Sequence, residues 1–347
     1  MIVLGGRDRR DAYHRPDGAE PAEMNPLRGY KGIALQIDGQ PLVSVIIERM
    51  AATGVFSPIW IAGPARLYHQ AVPGVRVIDT DSSFGDNLRT AVETVREELD
   101  AEYVAVTTAD ILPDPDELQL AARDLVRHVP LDFWMPHVPI EASLGSSDWK
   151  PRYGMRPPGE PAPLGTLPGH LVVGNLDSIR FDFVYRLFDL FYQTRNRPVL
   201  PRTASVAKGI IAHMLREDLA ALATGKAPYA LFTVFREGVM LALNIASQKA
   251  TTRDLEDRIR KISMRRDYRR LFPNRRGRIA VLDVMSLARD IDTEEEAREL
   301  TDTSFIAPAE TAGPDGPKGP TDSEDPAEQK SPTSTAPSKT PPPRATE

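Results

Sequence analysis

Cysteine is absent from the 347 residues of this chain. Its absence excludes disulfide bonds, thiolate metal sites and cysteine nucleophiles, and it is compatible with a reducing compartment. The six histidines show no spacing that is typical of a metal site. The chain is therefore neither a disulfide scaffold nor a cysteine- or histidine-rich metalloprotein.

The chain also lacks an apolar run that is free of charge and long enough to cross a bilayer. Residues 228–247 form its most apolar long stretch, and Arg236 and Glu237 lie in the middle of that stretch. A charged pair at the centre of a bilayer is costly, so we expect a buried or lid-like helix there. Arginines follow the first apolar residues from Arg7 onward, which is not the pattern of a signal peptide. We expect a cytoplasmic protein without stable membrane insertion.

Net positive charge is missing as well. The formal net charge is −6 at pH 7, so the molecule as a whole has no attraction for nucleic acid. The exception is the segment 258–278, which carries ten positive side chains and one acidic side chain. This segment is either a solvated helical face or the binding place of an anionic ligand, such as a phosphorylated sugar or a lipid headgroup. Nucleic acid is not expected as a partner, because interleaved aromatic residues and a known binding motif are lacking.

Apolar residues disappear towards the end of the chain. Residues 307–347 contain no Ile, Leu, Val, Met or aromatic residue, and Pro, Thr, Ser, Glu and Lys dominate. Such a composition cannot offset the entropy of ordering, so we predict a disordered tail over residues 306–347. Residues 1–305 are long enough for one large domain with a real core. Within it, residues 199–270 are predicted to form a mainly helical insertion.

The first 140 residues alternate strand and helix signals. Two segments with apolar residues at helical spacing, GQPLVSVIIERMAATG and GDNLRTAVETVREELD, lie between strand-like segments. The strand-like segments are MIVLGG, SPIWIAG, VRVIDTD and AEYVAVTTAD. This alternation predicts an α/β fold with a mostly parallel, Rossmann-like sheet that helices cover on both faces. Ligands of such sheets bind beyond the carboxyl ends of the strands.

Later segments extend this pattern less regularly. HLVVGNLDSIR (170–180) predicts a strand that ends on Gly174 and Asn175, and GRIAVLDV (277–284) predicts the last strand. A helix, FDFVYRLFDLFYQTR, follows the former strand. After the last strand, Thr293 is placed to cap a final helix. Residues 132–180 are otherwise rich in Pro and Gly and are predicted to be irregular.

Charged residues and glycines cluster at the predicted carboxyl edge of the sheet. They are Gly5, Gly6 and Arg7 after the first strand, Lys31 before the first helix, Asp110 after the fourth strand, and Asp290 and Asp292 after the last. Cations neutralise a polyphosphate, and glycines let backbone N–H groups approach phosphates closely. Carboxylates bind Mg²⁺, which takes oxygen ligands together with substrate phosphates. The set indicates a site for a polyphosphate and Mg²⁺.

In this order the segments resemble the MobA-like NTP transferases, which are nucleotidyltransferases of GT-A-type fold. The matching motifs are IVLGGR, YKGIALQIDGQPLV, VTTADILP, VVGNLDSIR and RDIDTEEEA. The resemblance covers roughly residues 1–305 and implies a single nucleotidyltransferase domain. The loop from Gly5 to Tyr30 is longer than the usual glycine-rich loop. It resembles a branch of the family with an extended N-terminal loop, in which Asp11 is a further candidate residue.

The resemblance implies an activity and assigns residues to it. An NMP group would pass from an NTP to a phosphorylated small-molecule acceptor, whose phosphate oxygen attacks the α-phosphorus in line while pyrophosphate leaves. Such chemistry depends mostly on positioning and charge stabilisation. The implied assignments are Gly5, Gly6, Arg7 and Lys31 for the nucleotide, Arg7 and Lys31 for catalysis, Asp110 and Asp290 for Mg²⁺, and Asn175 for the acceptor.

Two other functions stay open at this point. DTDSS (79–83) contains the D-x-D pattern of many sugar transferases, so the first alternative is a GT-A glycosyltransferase that uses an NDP-sugar and depends on Asp79 and Asp81. Capping of the following helix explains the same residues more simply. The second alternative is a catalytically degenerate nucleotide-binding protein, which the altered opening loop suggests. Plain structural explanations also exist for the glycine pair as a turn, for Lys31 as a solvated lysine and for the strand-end aspartates as caps.

Overall fold

A mixed sheet forms the centre of the fold, and nine of its strands lie in the part of the chain that the structure describes. The strands of this sheet and of a separate two-stranded hairpin (β2 and β3) are β1 (Ile2–Leu4), β2 (Gln36–Ile37), β3 (Gln40–Pro41), β4 (Trp60–Gly63), β5 (Arg76–Asp79), β6 (Tyr103–Thr108), β7 (Phe133–Pro139), β8 (Tyr153–Met155), β9 (Leu164–Pro168), β10 (Val172–Asn175) and β11 (Gly277–Val281). The order in the large sheet is β5-β4-β1-β6-β10-β7-β9-β8, and β11 pairs with β7. Only β9 and β10 among these strands run against the direction of β1.

Helices flank the sheet, and some of them lie beyond it on one side. They are α1 (Lys31–Ala34), α2 (Leu42–Ala52), α3 (Ala65–Ala71), α4 (Phe84–Glu98), α5 (Pro115–His128), α6 (Phe181–Thr194), α7 (Val199–Ala223), α8 (Ala230–Ala246), α9 (Thr252–Ser263) and α10 (Arg266–Leu271). This computed structural model describes residues 1–7, 29–140, 153–194, 199–247, 249–291 and 296. The predictions for Asp11, Asp292, Thr293 and the tail over 306–347 lie outside the described residues.

Successive side chains of β1 enter two different cores. Ile2 and Leu4 pack in the core that lies beneath α4, together with Leu88. Val3 packs in the core on the other face, together with Ile46 of α2. Because side chains alternate across a strand, two-sided burial requires a continuous apolar run, and this is what MIVL supplies. The predicted α/β class, a mostly parallel sheet with helices on both faces, is confirmed.

Helix boundaries follow local capping. Ser83 is the N-cap of α4, and its side chain accepts a hydrogen bond from the backbone N–H of Asp86. Asp86 itself lies inside the first turn. Asp114 caps α5 by accepting hydrogen bonds from two backbone N–H groups, with Pro115 in the first turn. Both helices therefore start at the carboxyl edge of the sheet, where the strands before them end.

The middle of the chain is more regular than the sequence predicted. β7, β8 and β9 occupy residues that we expected to be irregular. Their prolines and glycines hid the strand signal, since Pro136, Pro139 and Pro168 interrupt the β-type alternation. β10 was predicted as a strand, but its reversed direction has no signal in its own residues.

Helices α7, α8, α9 and α10 occupy most of residues 199–271. α8 covers most of the apolar stretch 228–247. It is only half-buried rather than fully buried, because Val234 faces the core while Phe232 and Phe235 face outward. In the residues that the structure describes, we find no helix that is both long and apolar enough for a membrane crossing.

Candidate active site

The first strand is followed by a glycine because a tyrosine fills the space that a larger side chain would need. The hydroxyl of Tyr68 donates a 2.8 Å hydrogen bond to the carbonyl of Gly5. A Cβ on Gly5 would lie 2.1 Å from that hydroxyl oxygen, which is far too close. The backbone N–H of Gly5 meanwhile donates to the carbonyl of Ala62 on β4 at 2.8 Å. Position 5 thus requires glycine for packing, whatever else binds there.

Gly6 and Arg7 continue from this point and are exposed. A Cβ on Gly6 would lie 3.1 Å from the side-chain amide nitrogen of Asn87, on the first turn of α4. The side-chain oxygen of Asn87 accepts hydrogen bonds from the Thr80 hydroxyl at 2.7 Å and from the Ser82 backbone at 2.8 Å. These two bonds fix the amide so that its NH₂ group faces Gly6. The glycine backbone and an amide donor therefore face each other across the carboxyl ends of β1 and β5.

Lys31 is brought to the same edge by close backbone packing. It begins α1 and is 5% exposed. The next residue, Gly32, lies so close to β6 that a Cβ there would be 2.8 Å from the Cβ of Ala109. Ala109 in turn donates its backbone N–H to the carbonyl of Leu4 at 3.0 Å. A glycine after the lysine therefore lets α1 approach the ends of both β1 and β6.

Asp110 and Asp290 meet through the backbone. The residue after Asp290, Ile291, donates its N–H to the carbonyl of Asp110 at 2.7 Å, and Ile111 pairs with Asp290 in an antiparallel bridge. The segment that follows β11 thus runs beside the end of β6. Two aspartates that are 180 residues apart in the chain consequently lie on neighbouring backbone segments.

One oxygen of Asp110 is a candidate metal ligand. Its Oδ1 is buried and has no hydrogen-bond partner among the described residues. A buried carboxylate oxygen without a partner is costly, and a bound cation satisfies it. The described residues contain no group of three or more His, Cys, Asp or Glu side chains placed to hold a metal ion. Two carboxylates agree with the way proteins bind Mg²⁺, which takes its other ligands from substrate phosphates and water.

The charged and polar side chains at this edge are close enough to shift one another's pKa values. Burial raises the pKa of the Tyr68 hydroxyl, and the nearby Tyr30, Asp110 and Asp81 raise it further. Burial and a 2.9 Å hydrogen bond to Asp81 raise the pKa of Tyr30, while the positive charge of Arg7 opposes this shift. Tyr68 is therefore a neutral donor at physiological pH. The structure brings Gly5, Gly6, Arg7, Lys31, Asp110 and Asp290 together at one edge of the sheet.

The two aspartates of the D-x-D pattern have structural partners. Asp79 accepts a 2.8 Å hydrogen bond from the backbone N–H of Ala65, at the start of α3. Asp81 accepts the hydrogen bond from Tyr30. We expected a capping role for this pattern at α4, and the helix that Asp79 caps is instead α3.

Asn175 lies elsewhere, which corrects its assignment to the acceptor. β10 runs antiparallel to β6, so that Asn175 pairs with Tyr103 at the amino end of β6. Seven residues of extended chain, about 20 Å, separate that end from Asp110. The side-chain oxygen of Asn175 accepts hydrogen bonds from the backbone N–H groups of Asp177 and Ser178, at 3.1 and 2.9 Å. Asn175 therefore shapes the turn after β10 at the opposite edge of the sheet.

The basic segment 258–278 lies near the same opposite edge. Arg265 donates its backbone N–H to the carbonyl of Ser178 at 2.7 Å, and Arg180 donates to the carbonyl of Ser263 at 2.8 Å. Many of its arginines are paired with acids of other segments, as Arg258 is with Glu237. The other pairs of this kind are Arg260–Asp132, Arg275–Glu102, Arg276–Asp257 and Arg278–Asp124. Five of the ten positive side chains are therefore arginines that pair with acids outside the segment and help to hold the fold together.

Sequence reasoning missed several residues of the site. Tyr30, Tyr68 and Asn87 line it, and His170 lies next to it, with its Nδ1 3.3 Å from the Thr108 hydroxyl. Tyr30 is adjacent to Lys31 in the chain, and this adjacency was a usable signal. Tyr68 and His170 had none, because their places depend on how α3 and the segment before β10 pack.

Comparison with known proteins gives similarity in fold only. No family model matches the chain, and none of the curated proteins matches it. A solved structure of a hypothetical transferase from Thermus thermophilus is similar at 18% identity and a TM-score of 0.48, over 85% of this chain and 97% of that one. A CMP:2-keto-3-deoxy-manno-octonic acid synthetase complexed with CTP is similar at 16% identity and a TM-score of 0.38, over 65% and 85% of the two chains. HddC from Yersinia pseudotuberculosis, complexed with GMP-PN, is similar at 12% identity and a TM-score of 0.32, over 50% and 76%. Similarities at this level do not define the activity of this chain, which has to be inferred from its own residues.

Proposed function

We propose that this protein is a Mg²⁺-dependent nucleotidyltransferase of GT-A-type fold, related to the MobA-like enzymes. It would transfer an NMP group from an NTP to a phosphorylated small molecule and release pyrophosphate. The observation that carries the proposal is the buried, unpartnered Oδ1 of Asp110 beside Asp290, at the edge where Lys31 and the Gly5–Arg7 backbone meet. Carboxylates, cations and exposed backbone at one strand edge suit a nucleotide triphosphate and its counter-ion.

Each residue has a defined task in this scheme. Gly6 and the amide of Asn87 would contact the nucleoside, since they face each other at the open end of β1. Arg7 and Lys31 would bind the phosphates. A phosphate oxygen of the acceptor forms a bond to the α-phosphorus as the bond to the bridging oxygen breaks, and the leaving pyrophosphate gains charge that the two cations stabilise.

Asp110 and Asp290 would hold the metal ion. When bound, Mg²⁺ supplies charge neutralisation of the phosphates and orients them for in-line displacement. The Tyr68 hydroxyl, which stays protonated because burial raises its pKa, holds Gly5 in place through the hydrogen bond to the Gly5 carbonyl.

We propose that His170, rather than Asn175, faces the acceptor. His170 lies beside Thr108 at the carboxyl end of β6, on the β10 side of the site. Its backbone N–H is held by the carbonyl of Leu287 at 2.6 Å. An imidazole at this position is suited to donate a hydrogen bond to a phosphate oxygen.

The glycosyltransferase alternative finds less support. It would depend on Asp79 and Asp81, and both carboxylates already accept hydrogen bonds that hold α3 and Tyr30. Their contacts are those of structural residues, whereas the buried oxygen of Asp110 has no such contact among the described residues.

The test is a pyrophosphate-release screen of the full-length protein with Mg²⁺. Each of the four NTPs is combined with sugar phosphates, polyol phosphates and molybdopterin. We expect turnover with one nucleotide and acceptor class, and loss of that turnover in Asp110→Asn. Asp283→Asn is the matched control, because Asp283 is an exposed aspartate on the segment after β11.

Three results would contradict the proposal. The first is nucleotide binding without pyrophosphate release over the whole panel, which would favour a degenerate binding protein. The second is full turnover in Asp110→Asn. The third is sugar transfer from an NDP-sugar that Asp81→Asn abolishes, which would favour the glycosyltransferase.

A further inference from the structure

The helices at the far end of the molecule expose an unusual amount of apolar surface. Of the sixteen large hydrophobic side chains that are exposed among the described residues, eleven lie in residues 199–272. Large contiguous apolar surfaces on a folded domain mark a place where something else binds. The sequence predicted a buried or lid-like helix at α8, and it gave no sign of exposed apolar surface on α7.

Eight of these eleven side chains form two stripes at helical spacing, which we call the outer stripes. Each stripe lies on the face of its helix that points away from the core residues Met214 and Val234. Phe232 is 70% exposed and Leu219 is 64% exposed. The outer stripes are Ile211, Leu215, Leu219 and Leu222 on α7, and Phe232, Phe235, Val239 and Leu243 on α8.

Positive charge accumulates in the same residues. Residues 199–272 contain fourteen Lys and Arg against seven Asp and Glu, a net charge of +7 in a chain whose total is −6. Their acids are largely engaged within the fold. Asp218 accepts three backbone hydrogen bonds at the start of α8, and Glu256 accepts one from Ile279. The excess charge at the surface is therefore positive.

A basic cleft opens directly beside the outer stripe of α8. It has a volume of about 260 Å³ and is lined by Tyr229, Phe232, Arg236, Lys261, Arg266 and Arg269. Its one acid, Glu237, is 2% exposed and already paired with Arg236 and Arg258. Phe232 belongs to both surfaces, so the cleft and the apolar stripe adjoin.

Two arginines of the cleft lack an acidic partner in the described part of the chain. Arg266 lies over the ring of Tyr229, 5.0 Å from its centroid. Arg269 is half-buried, and its Nε is buried without a hydrogen-bond partner. Burial and the cations around it, Arg260 among them, lower the pKa of its guanidinium. A buried cation among cations indicates an anion that belongs in this cleft.

We propose that the outer stripes and the basic cleft form a docking surface for an anionic phospholipid bilayer. Phe232, Phe235 and Leu219 would enter the boundary between headgroups and acyl chains, and the cleft would take lipid phosphates through Arg266 and Arg269. Helices with an apolar face and flanking Lys and Arg bind such surfaces without spanning them.

Other occupants fit the observations less well. A second copy of the chain would place one net charge of +7 against another, which is repulsive. The tail of this chain has no Ile, Leu, Val, Met or aromatic side chain after Ile306 with which to cover the stripes. An anionic bilayer satisfies both the apolar area and the positive charge.

The test is co-sedimentation of the full-length protein with vesicles. One set is phosphatidylcholine alone, and the other contains phosphatidylglycerol as well. We expect binding to the anionic vesicles only, with binding that falls as NaCl is raised because surface charges are screened. The Arg266→Gln/Arg269→Gln variant is expected to weaken binding about tenfold or more, since each cation near the bilayer surface contributes.

A matched pair of variants distinguishes binding through this surface from nonspecific adsorption to vesicles. Phe232→Asp/Phe235→Asp is expected to weaken vesicle binding about tenfold or more, because the buried apolar area is lost. Val126→Asp on α5, at a valine that is 57% exposed, is expected to leave binding unchanged. Circular dichroism tests whether each variant is folded. The salt dependence of vesicle binding is measured on the unaltered chain and does not depend on the folding of any variant.

Several outcomes would overturn the proposal. They are the absence of binding to anionic vesicles at low salt, an equal loss in Val126→Asp, and binding of soluble glycerol phosphate without binding to vesicles. Self-association that Phe232→Asp/Phe235→Asp abolishes, measured by light scattering, would show instead that a second copy covers the stripes.

Discussion

The carboxyl edge of the sheet and the helical region 199–272 use charge and packing in opposite ways. At the sheet edge, small residues such as Gly5 and Gly32 bring the backbone segments so close that no side chain fits. A buried carboxylate oxygen is left without a partner there. In the helical region Gly225 and Gly238 are free of such contacts, and the buried side-chain atoms without a hydrogen-bond partner, Nε of Arg258 and Nε of Arg269, belong to cations. In our proposals the first region binds a cation and a polyphosphate, and the second binds an anionic surface.

Replacement of Lys31 gives the largest expected effect and tests whether the sheet edge alone carries the reaction. We expect Lys31→Met to lower kcat/KM for nucleotidyl transfer by about a hundred- to a thousandfold, because a charge that stabilises the leaving pyrophosphate is removed. Lys208→Met, at an exposed lysine of α7, is the matched control and is expected to keep full activity. Equal losses of kcat/KM in Lys31→Met and Lys208→Met would contradict the assignment of the reaction to the sheet edge.

Acidification is expected to destabilise the sheet through a buried histidine. Burial lowers the pKa of His137 to about 4, whereas its value in the unfolded chain is the ordinary one near 6.5. The unfolded chain therefore binds a proton that the folded chain rejects, so stability is complete above pH 6.5 and falls between pH 6.5 and 4. The maximum loss is about 3 kcal/mol.

Urea denaturation at a series of pH values measures this loss. His137→Asn is expected to flatten the dependence in this interval, while His69→Asn, at an exposed histidine of α3, is expected to retain it. A pH profile that is the same in both variants would show that another group is responsible.

A methyl group at Gly5 is expected to destabilise the sheet edge. Because the added Cβ would lie 2.1 Å from the Tyr68 hydroxyl oxygen, β1 or α3 has to shift. We expect Gly5→Ala to cost about 1–3 kcal/mol of unfolding free energy, the usual range for overpacking. Thermal denaturation measures this cost. In a Tyr68→Ala background, which removes the hydroxyl and the ring carbon Cζ that would lie 2.1 and 2.4 Å from the new Cβ, Gly5→Ala is expected to cost less, and an unchanged cost would argue against the contact.

The same change in the helical region is expected to have a small effect of opposite sign. Gly238 lies inside α8, and a Cβ there would meet no atom within 4 Å. Gly238→Ala is expected to stabilise the protein by about 0.5–1 kcal/mol through helix propensity. A measured destabilisation would mean that the outer surface of α8 is covered in solution.

Most elements of the parallel half could be predicted from sequence, because their signals are local. Short apolar runs predicted β1, β4, β5 and β6, and apolar residues at helical spacing predicted α2 and α4. The grouping of Lys31 and Asp110 at one edge followed from the rule that parallel strands end together. That rule applies only to strands that share a direction.

The errors arose where long-range pairing decides the structure. Nothing in the residues of β10 shows that it runs antiparallel to β6, and this reversal moved Asn175 to the wrong edge in our prediction. β7 and β9 were missed because their prolines look like loop residues when their pairing partners are unknown. The exposure of Phe232 was missed because apolar periodicity shows that a helix has an apolar face and does not show what covers it.

Because β10 runs antiparallel to β6, the proposed nucleotide site and the basic cleft lie at opposite ends of the sheet. After β10 the chain leaves the sheet at the end opposite to the proposed nucleotide site, and the basic cleft is assembled there. A protein resting on lipid through that cleft would hold its pocket towards the aqueous phase, about 20 Å or more from the headgroups. NTP and acceptor would then both arrive from bulk water, so the lipid would serve as an anchor and not as the substrate.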